Sequence, residues 1–295
     1  VGGQIQEINQ AGTEDCLYLD IRAPHGDRDN LPVMFWIHGG GNTSGHKDFY
    51  NFSELVKRKD VIIVSPNYRL GPLGFFTHPA IQDYHSGIDK TSNFGILDLV
   101  LALKWVNENI ASFGGDPNNI TIFGESAGGH NVLSLLVTQQ AKGLFHKAIS
   151  QSGYTKSSSL QNAYKSENFN EEGVSDSWTV LNKIIKDKKL ASSLNEANIF
   201  QLNSSKDALR KILYETNAQE LVNLYGDTFE TPLLTNDGVV IPEIGLKEAL
   251  SSNEYLNKVP TIAGSNKDEI KLWLGFSKYF IETNESILSK GIGIL

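Results

Sequence analysis

The run ITIFGESAGGHN, Ile120 to Asn131, changes character at its centre. Ile120–Phe123 is a run of β-branched residues closed by an aromatic one, as a strand favours. The chain then breaks at Gly124, places Ser126 between two glycines, and resumes as small, helix-compatible residues leading to Val132, Leu135 and Leu136. The pattern is G-x-S-x-G, from Gly124 through Ser126 to Gly128. Alone it is a weak signal, because a serine capping a helix after a strand reads the same way. Between a strand and a helix it is what a nucleophile elbow requires: a sharp turn that lifts the serine oxygen above the sheet. Such a turn brings backbone against backbone, which Gly124, Ala127, Gly128 and Gly129 leave room for.

Further short apolar runs bounded by turn residues, at Leu31–Ile37, Val61–Val64, Lys147–Ser150 and Val259–Ala263, read as buried strands. Between them Asn93 to Ala111 has helical periodicity. Leu97, Leu101 and Trp105 share one face with Val100 and Leu103 near by, and FGGDP reads as a Gly-Gly stop followed by a turn. Strands alternating with helices of this length predict an α/β fold, a mostly parallel central sheet with helices on both faces. Ligands of such sheets bind at the carboxyl ends of the strands. From Tyr154 to about Ser175 the composition turns polar, which predicts a loop or lid-like insertion. A helix follows with Trp178, Leu181 and Ile185 on one face and Lys183, Lys186, Lys188 and Lys189 in solvent. The sheet pattern returns near Thr231, and no internal repeat is found.

The second motif, HGGG at His38–Gly41, directly follows the strand Leu31–Ile37. Three consecutive glycines leave amides unobstructed, and such donors stabilise the negative oxygen of a tetrahedral intermediate. A phosphate loop is excluded because no G-K-[ST] follows, and His46 and Lys47 arrive at the wrong spacing.

Length and composition bound the rest. The 295 residues are 40% hydrophobic with a net charge of −8, enough to bury a large core and unsuited to neutralising nucleic-acid phosphates. The unbroken apolar runs are only a few residues long, as in Val61–Val64, far short of the roughly 20 residues that span a bilayer, and VGGQIQEINQ does not read as a signal peptide. The single cysteine, Cys16, excludes an intrachain disulfide and reads as a buried structural thiol. The N-x-[ST] triplets at Asn42, Asn51, Asn119, Asn203 and Asn284 are read as incidental, and the expected location is the cytoplasm.

Taken together, EDCLYLDI (Glu14–Ile21), PVMFWIHGGG (Pro32–Gly41), NYRLGPLGF (Asn67–Phe75), the long stretch from Asn93 to Gly129, KAISQSG (Lys147–Gly153), FETPLLTNDGVVIP and VPTIAGSNKDE (Val259–Glu269) resemble the type-B carboxylesterase family. This family, on the α/β-hydrolase fold, includes the cholinesterases. The resemblance implies Ser126 as nucleophile, backbone N–H groups of Gly40, Gly41 and Ala127 as oxyanion hole, Glu269 as the acid of the triad and Glu125 as a supporting carboxylate. Asp268 is the neighbouring alternative to Glu269, and Ile270 stands where the family has a glycine. A plain surface carboxylate is the remaining reading of Glu269.

The resemblance further implies small-molecule ester substrates, no cofactor, no metal, and neither nucleic-acid nor membrane partners; it leaves the oligomeric state open. It divides the chain into a hydrolase core over 1–153, a polar and helical cap-like insertion over 154–230, and a return to the core over 231–295 carrying the acid, all one domain.

The chain order in this fold is serine, acid, histidine. No histidine follows Glu269. The seven present are His25, His38, His46, His78, His85, His130 and His146. His130 lies one helical turn beyond Ser126 and its ring is carried away from the serine oxygen, while His38 suits a loop-holding role. The expectation is therefore a central part of a longer esterase, with the base in a C-terminal segment beyond GIGIL. A catalytically silent cholinesterase-like binding module is the competing class, and the retained Ser126 and HGGG count against it.

Overall fold

A computed structural model describes residues 12–165, 176–225, 234–269 and 271. Its strands are β1 (Leu19–Arg22), β2 (Leu31–Ile37), β3 (Ile62–Pro66), β4 (Gly115–Glu125), β5 (Lys147–Gln151), the short β6 (Ser158–Ser159) and β7 (Thr235–Asn236), and β8 (Thr261–Gly264). The main sheet has the order β1-β3-β2-β4-β5-β8, with only β1 antiparallel to its neighbour, while β6 and β7 pair separately. The helices are α1 (Ser53–Lys59), α2 (Gly71–Phe75), α3 (Pro79–Gln82), α4 (Phe94–Asn109), α5 (Ala127–Val137), α6 (Leu160–Tyr164), α7 (Ser177–Asp187), α8 (Leu194–Asn203), α9 (Lys206–Tyr214), α10 (Ala218–Asn223) and α11 (Leu246–Leu250).

The expected α/β architecture is present, with one core on each face of the sheet. Inward residues of β2 and β4 (Val33, Phe35, Ile120, Ile122) pack with Ile96, Leu99, Leu103, Val132 and Leu135 of α4 and α5. The alternate residues Trp36 and Phe123 pack with Ile63 and Val56 of α1 on the other face. This period-two division is why β2 and the Ile120–Phe123 part of β4 carry apolar side chains on both faces. A third cluster joins α3 to the insertion through Phe76, Ala80, Leu181, Ile185, Ala197 and Leu209.

Several expectations change in detail. The helix at 93–111 turns a different stripe inward: Ile96, Leu99, Val100, Leu103 and Val106 are buried, whereas Leu101 is 62% exposed and Trp105, edge-on to Phe113, is 38% exposed. A helix apolar on nearly every side carries two legible stripes, and tertiary packing chooses between them. The turn expected after FGG is instead the start of β4: Gly114 takes the left-handed conformation and Gly115 already pairs with Leu31 across a register shift. The antiparallel β1 begins within EDCLYLDI and ends at Arg22, a strand that the sequence pattern does not announce. Cys16 is half-buried rather than buried, and its thiol is raised above the ordinary value by desolvation.

In the insertion, Trp178, Leu181 and Ile185 are buried as expected. Lys186 and Lys189 are exposed, while Lys183 and Lys188 are half-buried and Lys188 donates to the Glu215 carbonyl. Its polar composition is capping as well as loop: Asp176, Ser193, Ser205 and Asn217 each accept a backbone N–H at the start of α7, α8, α9 and α10. Thr231, where the sheet pattern was expected to return, lies outside the described residues, as do Ile270 and the terminal GIGIL.

Asp237 returns the chain from the insertion to the core. Its Oδ1 accepts the N–H groups of Val239, Val240 and Ile241 at 2.9–3.0 Å, and its Oδ2 accepts Thr91 Oγ1 and, at 2.8 Å, Asn93 Nδ2. Asn93 also bonds both backbone groups of Thr235. Asp237→Asn replaces one acceptor oxygen by a donor and should lower stability by about 2–3 kcal/mol, read as a lower urea midpoint at unchanged m.

His130 is buried on α5 with neither ring nitrogen hydrogen-bonded, packed edge-on to Tyr154 at 3.9 Å. Desolvation lowers its pKa to about 3. The unfolded chain therefore binds a proton on this ring between about pH 6.5 and pH 3 that the folded chain does not, so His130 erodes stability as pH falls through that window. His130→Leu should gain roughly 2–3 kcal/mol at pH 4 over the parent and little at pH 8, measured by urea unfolding at both pH values.

Candidate active site

The parallel pairing of β2 with β4 brings the two glycine motifs together. Strand order runs from β2 to β3 on one side and to β4 on the other, so the crevice at their carboxyl ends is the switch point where sheets of this class bind ligands. The register places Ile37 opposite Gly124. His38–Gly41 and Ser126 thus leave neighbouring strand ends side by side.

Ser126 has φ +57° and ψ −120°, a combination that L-residues rarely adopt and that costs about 1–3 kcal/mol. The surroundings enforce it. Its N–H donates to Gln151 O at 2.9 Å, holding the turn to β5, and its carbonyl accepts from His130 N at 2.9 Å, starting α5. Only glycine fits around it: a β-carbon on Gly128 would collide with the Ile37 carbonyl, and one on Gly124 would come within 2.5 Å of the Gly128 carbonyl carbon. The serine is therefore the element-to-element corner expected from the sequence. Ala127 follows in the first turn of α5, where backbone N–H groups have no intrahelical acceptor.

The glycine loop His38–Gly41 is shaped through its carbonyls. In a trans peptide the C=O of one residue and the N–H of the next point in opposite directions. Gly39 O accepts His38 Nδ1–H at 2.9 Å, and Gly40 O accepts the N–H groups of Thr43 and Ser44, both at 3.0 Å. The N–H groups of Gly40 and Gly41 are thereby turned away from these anchors. Gly40 and Gly41 need φ of +105° and +65° to do this. The loop lies against the elbow, since a β-carbon on Gly39 would sit 2.7 Å from Glu125 O and 3.2 Å from Ser126 Cβ. His38 is buried, stacked on Tyr68 at 4.4 Å and lowered in pKa by desolvation, so it holds the loop as a neutral ring.

The candidate acid, Glu269, follows β8. Its Oε2 accepts Asn266 N at 2.7 Å and Ser152 Oγ at 2.9 Å, and these two donors hold its pKa below the ordinary value. Ser152 sits just beyond β5 at φ +51°, with its N–H on Gly264 O at 2.7 Å. This serine was not singled out in the sequence; its only signal was its place at the end of the strand beside the elbow strand. Asp268 instead pairs with Lys271 at 2.9 Å. Glu125 is half-buried, and its pKa is raised by desolvation and then by the charge of Glu269.

The seven histidines are all described, and no histidine ring hydrogen-bonds to the side chain of Ser126 or Glu269. His78 is fixed between Ala80 N and Gln201 Oε1, His85 bonds Tyr214 Oη, and His146 Nδ1 accepts Ile120 N. His25 and His46 are exposed, His38 is held on Gly39 O, and the His130 ring is buried against Tyr154 with both nitrogens unpaired. The structure thus brings together Ser126, Gly40, Gly41 and Ala127, with Glu269 and Glu125 at the same end of the sheet.

The sequence pattern described as the carboxylesterase family matches residues 2–289. A para-nitrobenzyl esterase of Bacillus subtilis (strain 168) is 36% identical over 260 residues, covering 87% of this chain and 47% of that protein. Carboxylesterase 1E of Rattus norvegicus is 38% identical over 269 residues, covering 90% and 44%. The solved structure of a Geobacillus stearothermophilus carboxylesterase superposes with a TM-score of 0.71 at 32% identity, covering 97% of this chain and 54% of that one. The chain spans less than half the length of either sequence relative. With a match over nearly all its residues and this fold, the chain belongs to the carboxylesterase family, on the α/β-hydrolase fold.

Proposed function

We propose that this chain provides the nucleophile, oxyanion hole and acid of an enzyme that hydrolyses carboxylic esters of small molecules through an acyl-serine intermediate. The observation that carries the reading is the strained Ser126, held on the turn between β4 and α5 with the glycine loop packed against it. Strain of this kind persists only where the surroundings over-determine it, and here it exposes one hydroxyl beside a cluster of oriented amides.

In the first step Ser126 Oγ attacks the ester carbonyl carbon while a histidine takes its proton. The carbonyl oxygen becomes an oxyanion that accepts from the N–H groups of Gly40, Gly41 and Ala127. The alcohol leaves with the proton, and water then attacks the acyl-serine by the reverse route. Glu269, held ionised by Asn266 N–H and Ser152 Oγ–H, orients that histidine and balances its positive charge. Glu125 supports the site electrostatically. No ring of the seven histidines reaches the Ser126 hydroxyl or the Glu269 carboxylate, which supports a base supplied by a histidine from outside this sequence. Without it, the oxyanion hole alone leaves roughly 10³–10⁴-fold acceleration over water.

A fluorophosphonate, which labels only an activated serine, tests the reading with intact-mass detection on the native polypeptide. One adduct, lost in Ser126→Ala, is expected on a species heavier than this chain's 32.5 kDa. An adduct at 32.5 kDa would place the base among the seven histidines, and a reactive protein still labelled in Ser126→Ala would overturn the assignment. Glu269→Gln should lower kcat about 10³–10⁴-fold with KM little changed, measured on an activated aryl ester. Ser152→Ala should raise the Glu269 carboxyl pKa, followed by carbon-detected NMR titration, because a donor to the charged form is removed.

A further inference from the structure

Asn42 and Asn131 form a reciprocal amide pair that bridges the two halves of the oxyanion hole. Asn42 directly follows Gly41, and Asn131 lies on α5, which begins at Ala127. Asn131 Nδ2 donates to Asn42 Oδ1 at 2.9 Å, and Asn42 Nδ2 donates back to Asn131 Oδ1 at 3.3 Å. The residues are 89 positions apart and both are buried, at 5% and 0% exposure. Tyr68 Oη, 2% exposed, donates to His38 O at 2.7 Å and lies 3.3 Å from Asn42 Oδ1. Asn42 takes φ +58°, a conformation asparagine tolerates better than most side chains, and its carbonyl accepts Gly71 N at 2.6 Å.

Neither asparagine meets the reacting atoms, and no helix or strand requires the pair. Polar side chains buried this deeply need partners, and each of these amides finds its principal one on the opposite side of the site. The loop contributes two donors and the helix one, and an oxyanion is stabilised only when all three converge at hydrogen-bond distance of one point. The bonds within the loop orient the Gly40 and Gly41 amides, but they do not set the distance from the loop to α5. The Asn42–Asn131 pair spans that distance directly, beyond the packing of Gly39 on Glu125 O.

We propose that Asn42 and Asn131 are positioning residues that fix the spacing between the Gly40–Gly41 amides and Ala127. This rests on the ester-hydrolase reading, and it makes a structural claim that stands apart from turnover. It predicts that cutting the pair from either side releases the same loop, so the two cuts do not add. It also predicts a fall in kcat rather than a rise in KM, because the convergence matters for the oxyanion and not for the ground-state ester.

Hydrogen exchange on the native polypeptide tests the claim without relying on catalysis. Asn131→Ala alters the helix side and leaves the loop sequence intact. Asn42→Gly removes the side chain while permitting the positive φ, and it stands in should the first variant fail to fold. Residues 40–45 should exchange about tenfold faster in either variant, and no faster in the double variant, with protection of α4 unchanged. Unchanged protection of residues 40–45 overturns the proposal. In the ester assay, kcat should fall about 10- to 100-fold with KM within about twofold, again without additivity. Parental kcat in both variants, or losses that multiply in the double variant, likewise overturns it. A parent that cleaves no ester defeats the proposed reaction, and the exchange result alone then decides the tether.

Discussion

The parallel pairing of β2 with β4, in the register that sets Ile37 opposite Gly124, is the constraint from which the rest of the site follows. It delivers two chain segments to one end of the sheet at the spacing of a single ladder step. The helix leaving β4 must then pass across the end of β2, and Gly128 makes that passage possible by carrying no side chain toward the Ile37 carbonyl. Had either strand slipped by one residue, every inward side chain would have turned to the opposite face, and both cores would have been lost with the site. Stability and site geometry are therefore held by the same contacts.

This dependence explains which parts were legible in advance. Ser126, Gly40, Gly41 and Ala127 announce themselves because their work needs backbone to approach backbone, and only glycine and small residues allow that. The strands Leu31–Ile37 and Lys147–Ser150 read correctly because their apolar residues meet a core on each face, as Ala148 and Ile149 do in β5. The inward stripe of α4 misled because Leu101 and Trp105 are as apolar as the residues that won, and composition does not reveal which side meets the sheet. β1 was missed because its four residues alternate charged and apolar side chains and all are half-exposed, a weak pattern for an edge strand.

Ser152, Tyr68 and the Asn42–Asn131 pair were not legible as parts of the site for a different reason. Their roles depend on contacts between residues tens of positions apart, as with the 117 positions separating Ser152 from Glu269. A serine or asparagine in a turn carries the same local signal whether it faces water or a carboxylate. The polar stretch from Tyr154 shows the converse: its composition suggested loop, and the folded chain uses Ser159 there to cap the short helix α6.

Asn42 has one more consequence, set by the order of events during synthesis. With Thr43 and Ser44 it forms an acceptor triplet that an oligosaccharyl transferase would meet on the unfolded chain, before any tertiary contact exists. In the folded protein the same amide nitrogen is enclosed against α5. A sugar attached there could not be accommodated, and the oxyanion loop could not close onto the helix. Folding of this site and modification of this asparagine are therefore mutually exclusive.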